Sequence, residues 1–279
     1  MTNTDDELKI AVLQASSIPG DVEANLRAVD EAAGQAADRG IHLLVTPEML
    51  LTGYNISDRV VELARQAPLE RVREIAADHR VAIVASGPEL LDGPDASAAR
   101  VANSAWFFDE TGAVLGRHRK IQLFGQLDRD MFVEGATPTT LVDYRGFRVA
   151  LLICFDVEFP ETVRAAALAG ADLVAVPTAQ MQPFGFVNDH LIRVRAWENG
   201  VYVAYANHYG TDGSLEYVGR SVIADPLGEH LAQAQPDGGA LLTATMDREV
   251  LGVARRQSPY LTEVRSELFA RPPAERHET

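Results

Sequence analysis

Short apolar runs alternate along the chain with segments in which apolar residues recur at helical spacing. Runs rich in Ile, Val and Leu are typical of buried strands, and apolar residues three or four positions apart indicate helices with one buried face. The predicted strands are residues 8–13, 41–45, 81–86, 146–153, 172–176, 201–206, 220–224 and 241–246. The predicted helices begin after Gly20-Asp21, run from about 58 to 79 with a break at Pro68, begin at Pro160-Glu161, and span 188–198.

Two segments depart from this alternation. Strand-like runs within residues 101–120 flank the turn sequence Asp109–Gly112, which predicts an antiparallel hairpin. A second turn, Asp225–Gly228, separates two of the later strands. The pattern as a whole predicts a mixed α/β layer structure. Because no low-complexity linker or short repeat divides the chain, we expect one domain over residues 1–279, in which residues 258–279 are irregular and residues 271–279 fray.

Composition excludes several classes of protein. The chain has 279 residues, a net charge of −15 and a single cysteine. One cysteine excludes an internal disulfide framework and a Cys-rich metal site, and the acidic balance argues against a nucleic-acid partner. The longest apolar runs fall short of the roughly 20 residues of a membrane span. The polar, acidic residues 1–7 do not resemble a signal peptide, so we expect a soluble cytoplasmic protein with no membrane partner.

Three residues with chemical potential stand at the ends of strand-like runs: Glu48, Lys120 and Cys154. Loops at strand ends are held by a rigid scaffold, which is why α/β proteins build their sites there. A lone cysteine is most often a buried structural thiol, but Cys154 is followed at once by carboxylates and the start of a helix. That context suits an exposed turn between strand and helix.

A nucleophilic thiol needs a base or a nearby cation, because a free thiol is mostly protonated at neutral pH. Glu48 could be that base if partial burial raises its pKa, and Lys120 could stabilise negative charge that develops during the reaction. The alternatives are a solvated glutamate and a surface lysine. His118 and His208 lie near the candidate segments, but neither sits in a catalytic motif, and structural or surface roles suit both.

Three motifs contain the candidate residues, in the order Thr46-Pro47-Glu48, Arg119–Gly125 and Cys154–Glu161. Supporting segments are Leu51–Tyr54, Val176–Ala179, Arg195–Gly200 and Ala206-Asn207. In these motifs, their order and their wide spacing, the sequence resembles the nitrilase superfamily of carbon–nitrogen hydrolases. The resemblance covers residues 8–255, which form the expected core, and leaves 256–279 as a tail.

The resemblance implies a four-layer α-β-β-α sandwich with two mixed sheets, in a chain that forms homodimers or larger homo-oligomers. It implies that Cys154 is the nucleophile, Glu48 the general base and Lys120 the electrostatic stabiliser. Lys120 and the backbone N–H of Phe155 would hold the oxyanion of a tetrahedral intermediate. Ammonia would leave, and water would hydrolyse the thioester. No metal and no organic cofactor are expected.

A fourth residue departs from the family pattern. Many members have a second glutamate after the lysine motif, and Asp128, one methylene shorter, falls at that place. Glu134 is the fallback, although it stands where the family usually has a turn residue. A surface position for Asp128 is the alternative.

The motif Phe155-Asp156 resembles the amidase branch more than nitrilases proper, which usually have Trp-Glu there. We therefore expect hydrolysis of a small linear carboxamide, with ω-amino amides included. The alternatives are an N-carbamoyl hydrolase, for which Arg164 could hold a carboxylate, and a nitrilase. A non-catalytic interaction homologue and a glutaminase that serves a synthetase partner are further alternatives from other classes.

The segment after the strand that ends at Pro177 is expected to line the substrate pocket, together with residues from elsewhere in the chain. Glu158, beside the nucleophile, could bind a cationic end of the substrate. Residues 197–199 could contribute, although Trp197 also suits simple helix packing. The expected pocket residues are Tyr54, Phe155, Glu158, Thr178, Ala179, Met181 and Phe184.

Overall fold

The computed structural model describes residues 6–91, 99–265 and 267. The strands are β1 (Glu7–Gln14), β2 (Leu43–Val45), β3 (Ala82–Leu91), β4 (Arg100–Phe108), β5 (Val114–Arg119), β6 (Thr140–Tyr144), β7 (Phe147–Leu151), β8 (Leu173–Pro177), β9 (Tyr202–Ala206), β10 (Tyr209–Asp212), β11 (Leu215–Val218), β12 (Val222–Ala224), β13 (His230–Gln233) and β14 (Ala240–Asp247). The α-helices are α1 (Val22–Asp38), α2 (Val60–Ala64), α3 (Pro68–His79), α4 (Gly125–Met131), α5 (Pro160–Leu168), α6 (Ile192–Asn199), α7 (Arg248–Gln257) and α8 (Tyr260–Glu263).

The described strands form two six-stranded sheets and one two-stranded ribbon of β10 and β11. The first sheet has the order β14-β1-β2-β3-β4-β5, and the second has the order β13-β12-β9-β8-β7-β6. Each sheet has three parallel strands at its centre, β1-β2-β3 in one and β7-β8-β9 in the other. Antiparallel strands flank each parallel centre. Both sheets are therefore mixed.

Alternation of side chains along the strands separates the layers. In β1, Leu8, Ile10 and Val12 belong to a cluster shared by both sheets, whereas Ala11 and Leu13 pack toward α1 and α3. The outer face of the second sheet packs against α5 and α6 in the same way. The predicted four-layer α-β-β-α sandwich is confirmed, and its central layer is the apolar contact between the two sheets.

Most predicted elements are present, with shifted ends. The predicted strand 81–86 extends to Leu91, because the hairpin partner β4 pairs with β3 along its whole length. The predicted helix 188–198 begins as a π-helical turn, Val187–Leu191, before α6. A short helix, α8, occupies part of the segment expected to be irregular from Ser258. The fraying predicted for residues 271–279 lies outside the described residues.

Several elements have no counterpart in the sequence prediction. The strand β13 is short and its side chains are alternately exposed, so its hydrophobic signal is weak. Helix α4, with the sequence GQLDRDM, is short and largely polar. Helix α7 was not predicted either, although its buried residues Leu251 and Ala254 are spaced three positions apart, as on one face of a helix.

Candidate active site

Strand ends from both sheets converge on one buried cluster. Glu48 lies three residues beyond the last residue of β2, and Cys154 lies three residues beyond the last residue of β7. Lys120 directly follows β5, and Thr178 directly follows β8. The carboxyl ends of parallel strands are where α/β sheets place their ligands, and here the first sheet contributes the end of β2 and the second sheet the ends of β7 and β8.

Lys120 is the centre of this cluster and is completely buried. Its Nζ donates hydrogen bonds to Glu48 Oε1 at 2.8 Å and to Asp128 Oδ2 at 2.7 Å, and it contacts the Tyr54 hydroxyl at 3.2 Å. The Tyr54 hydroxyl in turn donates to Asp128 Oδ1 at 2.5 Å. An ammonium group has three N–H donors, so the three acceptors account for all of them.

Burial and charge set the ionisation of the cluster. Burial alone would lower the Lys120 pKa, but Glu48, Tyr54 and Asp128 together raise it well above the usual lysine value, so the amine stays charged. Burial raises the Glu48 pKa, against the opposing charge of Lys120. Glu48 Oε1 accepts from both Lys120 and Asn103, whereas the buried Oε2 has no hydrogen-bond partner in the described part of the chain. That oxygen is free to accept a proton.

The main chain holds Glu48 in place. Its N–H donates to the Thr178 carbonyl at 3.2 Å, and its carbonyl accepts from His208 Nε2 at 2.6 Å. Burial lowers the pKa of His208 to about 4, so the ring is neutral and Nε2 carries the proton that it donates. The Asn103 amide donates to Glu48 at 2.7 Å, and Ser86 contacts the Asn103 oxygen at 3.2 Å.

Cys154 begins a 3₁₀ turn, Cys154–Glu158, that leads into α5. Its φ of 43° lies in the left-handed region, which a residue with a side chain rarely adopts. Such backbone strain persists only where the surrounding structure enforces it, and it is common at functional sites. Burial and the negative charge of Glu48 raise the pKa of the thiol well above its usual value. The thiol therefore stays protonated until a base removes its proton.

Asp156 ties the cysteine turn to the lysine segment. Its Oδ1 accepts the backbone N–H groups of Ile121 and Gln122 at 3.1 and 2.8 Å. Its Oδ2 accepts the N–H of Ile153 at 3.1 Å and lies 3.3 Å from His118 Nε2. One buried carboxylate thus fixes the residues that immediately follow Lys120 and precede Cys154.

The segment after β8 lies beside the thiol, and its Gln180 makes a polar contact with the sulfur. The side-chain oxygen of Gln180 lies 3.8 Å from the Cys154 sulfur. Thr178 and Ala179 counter the rise in the thiol pKa, so both lie within reach of the sulfur. Gln180 Nε2 donates to Glu158 Oε1 at 3.2 Å.

Aromatic rings stand at the edge of the cluster. Phe124 makes edge contacts with Phe155 at 5.2 Å and with Phe184 at 5.9 Å between ring centroids. Phe155 also packs against Phe159 at 4.9 Å. Phe184 is nearly half exposed, at 45%. Met181 is half-buried and bridges to Tyr217 in β11.

The other candidate residues lie both inside and outside this cluster. Tyr54 is buried within it, where its hydroxyl donates to Asp128 and contacts Lys120. Glu134 is exposed, so Asp128 is the acidic residue of this segment that reaches Lys120. Trp197 lies on the outer side of α6 against Tyr260. Arg164 is half-buried on α5 and forms no ion pair with any of the described residues.

Sequence reasoning missed Asn103, which donates to Glu48. A polar residue in a mostly apolar strand signals a buried hydrogen-bond partner. Asp156 lies in the third motif, Gln180 in the expected pocket segment and His208 near the candidate segments. The contacts by which these three hold the site were not predicted, because most of them join residues distant in the chain. His118 and His208 are both buried, which agrees with a structural role.

In the part of the chain that the structure describes, no group of three or more His, Cys, Asp or Glu side chains is placed to hold a metal ion. No described helix combines the length and the apolar character that crossing a bilayer requires.

Comparison with known proteins identifies the family. The sequence pattern described as Carbon-nitrogen hydrolase matches residues 9–256. A protein of Pseudomonas protegens described as a hydrolase in the pqqF 5′ region is 40% identical over 94% of this chain and 90% of its own. An (R)-stereoselective amidase from a Pseudomonas species is 33% identical over 92% of each chain.

Solved structures agree. The crystal structure of an amidase from a Nesterenkonia species is similar with a TM-score of 0.84 and 36% identity, over 95% of this chain and 96% of that one. In a mutant of that amidase, the acetamide moiety of fluoroacetamide is covalently added at the active-site cysteine.

The amidase from Nesterenkonia is described as a member of the nitrilase superfamily. This chain belongs to the carbon-nitrogen hydrolase family of that superfamily. It is a hydrolase that acts on carbon–nitrogen bonds other than peptide bonds.

Proposed function

We propose that this hydrolase is an amidase that converts a small linear carboxamide into the carboxylic acid and ammonia through a thioester on Cys154. The observation that carries the proposal is the buried Glu48–Lys120 pair beside the thiol, with one Glu48 oxygen left free. The amidase relatives, and the covalent cysteine adduct in one of them, support the same chemistry.

Acylation follows from the ionisation of the site. Glu48 Oε2 takes the thiol proton as the sulfur attacks the amide carbon, and the C–S bond forms while the carbonyl π electrons move to oxygen. We assign stabilisation of that oxyanion to a hydrogen bond from the backbone N–H of Phe155 and to the positive charge of Lys120, whose own N–H groups are bonded to Glu48, Tyr54 and Asp128. Removal of one such donor typically slows a reaction about 10²- to 10³-fold. Glu48 then passes its proton to the amide nitrogen, the C–N bond breaks, and ammonia leaves.

Deacylation uses the same groups with water in place of the thiol. Glu48 takes a proton from water as the water oxygen attacks the thioester carbon. The C–S bond breaks, the carboxylic acid is released, and the proton on Glu48 returns to the sulfur. No step needs a metal or an organic cofactor.

Asp128 and Tyr54 have supporting roles in this proposal. Asp128 holds Lys120 at 2.7 Å, and its other oxygen is held by Tyr54. The shorter aspartate side chain reaches Lys120 because α4 brings its backbone close: the Phe124 N–H donates to Asp128 Oδ2 at 2.8 Å. We propose that Asp128 does the work that a second glutamate does elsewhere in the family.

An ammonia-release screen tests the proposed function. The panel contains short aliphatic, ω-amino and aromatic amides, N-carbamoyl compounds and nitriles, with the Cys154→Ala variant as control. We expect ammonia from short amides in the wild type and essentially none from Cys154→Ala. Release from carbamoyl compounds or nitriles alone would assign the enzyme to another branch, and equal release by both proteins would overturn the mechanism.

We propose that residues 1–279 act as one catalytic domain that associates into homodimers or larger homo-oligomers, as the superfamily resemblance implies. Light scattering coupled to gel filtration measures the mass of the particle directly. A monomer at micromolar concentration would contradict this part of the proposal.

A further inference from the structure

Gln180 is oriented by its surroundings. Its Nε2 group donates to Glu158 Oε1 at 3.2 Å and contacts the Phe184 carbonyl at 3.4 Å. A side-chain amide has its two donors on nitrogen and its acceptor on oxygen, so these partners fix which atom faces which way. The oxygen of Gln180, in a side chain that is 5% exposed, is therefore turned toward the Cys154 sulfur at 3.8 Å.

Glu158 is an acid without a cation. It is half-buried, and its carboxylate accepts from Gln180 but forms no salt bridge with any residue that the structure describes. Burial raises its pKa, which measures the cost of holding an unpaired negative charge there.

Among the described residues, Lys120 and Arg195 lie close enough to favour the charged form of Glu158, but their donors are bonded to other groups. The three N–H donors of Lys120 are bonded to Glu48, Tyr54 and Asp128. Arg195 faces Glu158, but its guanidinium donates to the main-chain carbonyl of Glu158 at 2.6 Å and to the Glu198 carboxylate at 2.9 Å. Both cations stabilise the ionised carboxylate of Glu158 from a distance, but neither forms an ion pair with it, so a positive charge brought by a ligand could form that pair.

The geometry also limits the length of such a ligand. One glutamine side chain separates the Glu158 carboxylate from the Cys154 sulfur. A substrate whose amide carbon lies at the sulfur would reach Glu158 through a short aliphatic linker. The rings of Phe155 and Phe184 stand beside this path, as Phe184 supplies a carbonyl to Gln180. A substrate with a carboxylate at the end of the same linker would face the Gln180 oxygen and the negatively charged Glu158 carboxylate, both of which are acceptors. Such a substrate would therefore be repelled.

We propose that Glu158 and Gln180 form an acceptor subsite that selects short amides carrying a protonated amine. This inference rests on the proposed amidase function and narrows its substrate class. Glu158 supplies the charge that attracts the ammonium group. Gln180 positions Glu158 and presents its own oxygen on the thiol side.

The test uses three amides that share a linker of two methylene groups, of which the cationic and the neutral one are also matched in size. The kcat/KM is measured for β-alaninamide, which is cationic, for butanamide, which is neutral, and for succinamate, which is anionic. A charge-assisted hydrogen bond of the usual strength corresponds to roughly 10- to 100-fold. We expect the wild type to prefer the cationic amide over the neutral one by about this factor and to disfavour the anionic one.

Two variants locate the source of the preference. Glu158→Gln removes the charge but keeps an acceptor for Gln180, and it is expected to reduce the cationic-to-neutral ratio roughly 10-fold or more. Glu161→Gln removes the same charge from an exposed residue in the first turn of α5 and is expected to keep the ratio. The ratio is the readout, so a general loss of activity does not mimic the effect.

A measurement on the wild type alone guards against a variant that fails to fold. Butylammonium is expected to inhibit butanamide hydrolysis at concentrations at least 10-fold lower than the neutral 1-butanol. Equal inhibition, or a ratio unchanged in Glu158→Gln, would overturn the subsite while Cys154-dependent hydrolysis of butanamide left the amidase proposal standing. No Cys154-dependent ammonia from any of the amides would overturn the proposed function itself.

Discussion

Burial and the charge of Lys120 have opposite effects on the pKa of Glu48. Burial raises its pKa and so strengthens it as a base, while Lys120 keeps it ionised when no substrate is present. The same burial keeps the Cys154 thiol protonated. Proton transfer from sulfur to Glu48 therefore belongs to the attack on the substrate, and a preformed thiolate is not required.

The pH dependence of kcat/KM follows from this. Glu48 must be ionised to accept the thiol proton, and its pKa lies above the ordinary value of 4.5. Activity is therefore expected to fall as the pH decreases through that raised pKa, so the acid limb lies above pH 4.5. The exposed Glu134→Gln variant is expected to keep the same limb. An acid limb at or below the ordinary glutamate pKa would contradict the role of Glu48.

Asp128 is predicted to act through Lys120. The Asp128→Asn variant keeps the shape of the side chain but removes the charge that holds Lys120, and breaking a buried ion pair costs about 3–5 kcal/mol of stability. We expect a lower free energy of unfolding in urea and a kcat at least roughly 10-fold lower, with a smaller change in KM. Glu134→Gln, which removes an exposed acid nearby, serves as the control. Wild-type kcat in Asp128→Asn would assign Asp128 no part in catalysis.

The residues that are proposed to carry out the reaction, Glu48, Lys120 and Cys154, could be predicted from the sequence. Each follows a strand and falls in a motif that resembles those of a known superfamily. The roles of Gln180 and Asp156 could not be predicted, because they come from the atoms that the two side chains face. The Gln180 oxygen gains its place from Glu158 and Phe184, and Asp156 gains its place from the backbone after Lys120. Neither relation is visible in the sequence.

At the level of elements, the loops after β2 and β9 are coupled by a buried histidine. His208 follows β9 and donates to the Glu48 carbonyl, and its ring stacks on Tyr217 at 4.8 Å. The neutral ring suits the complete burial of His208. Its second nitrogen, Nδ1, has no hydrogen-bond partner among the described residues.

This histidine makes stability depend on pH. Its pKa is about 4 in the folded protein and 6.5 when unperturbed, so the unfolded chain binds the proton first. Its contribution is full above pH 6.5 and is lost as the pH falls toward 4, by about 3 kcal/mol.

The free energy of unfolding, measured in urea across this range, checks the prediction against two variants. His208→Gln is expected to lose less stability than the wild type as the pH falls. The exposed His190→Gln is expected to follow the wild type. If His208→Gln followed the wild type as well, the ring would not be held neutral.

Helices and strands with clear hydrophobic periodicity could be predicted from the sequence. Elements that form only because they pair with or pack against distant parts of the chain could not. The alternation in β1 and the helical spacing in α1 are local properties of the sequence. The strand β13 forms because β12 provides a pairing edge, and α4 forms where the chain must bring Asp128 to Lys120. Tertiary context decides such elements, since their own hydrophobic signal is weak.

For the whole molecule, stability depends on the apolar layer between the two sheets. Phe107 of β4 is fully buried in this layer and packs against Tyr144 of β6 at 5.2 Å between ring centroids, so it joins one sheet to the other. The sequence showed buried strands but not that their two sheets would stack. That part of the fold came from the resemblance to the superfamily.

The Phe107→Ala variant tests this layer. Loss of a buried phenylalanine leaves a cavity and costs about 3–5 kcal/mol. Phe186→Ala, at a side chain that is 68% exposed, is expected to change the free energy of unfolding by less than about 0.5 kcal/mol. Urea unfolding of both variants measures the difference. Equal stabilities would contradict the central layer as the main source of stability.

The most direct test of the account is the fate of its single cysteine during turnover. The wild type, mixed with excess short amide and quenched in acid, is analysed by intact mass and by peptide mapping. We expect the mass of one acyl group on the peptide that contains Cys154, and no adduct and no ammonia with Cys154→Ala. Ammonia release by Cys154→Ala at the wild-type rate would contradict the proposed mechanism.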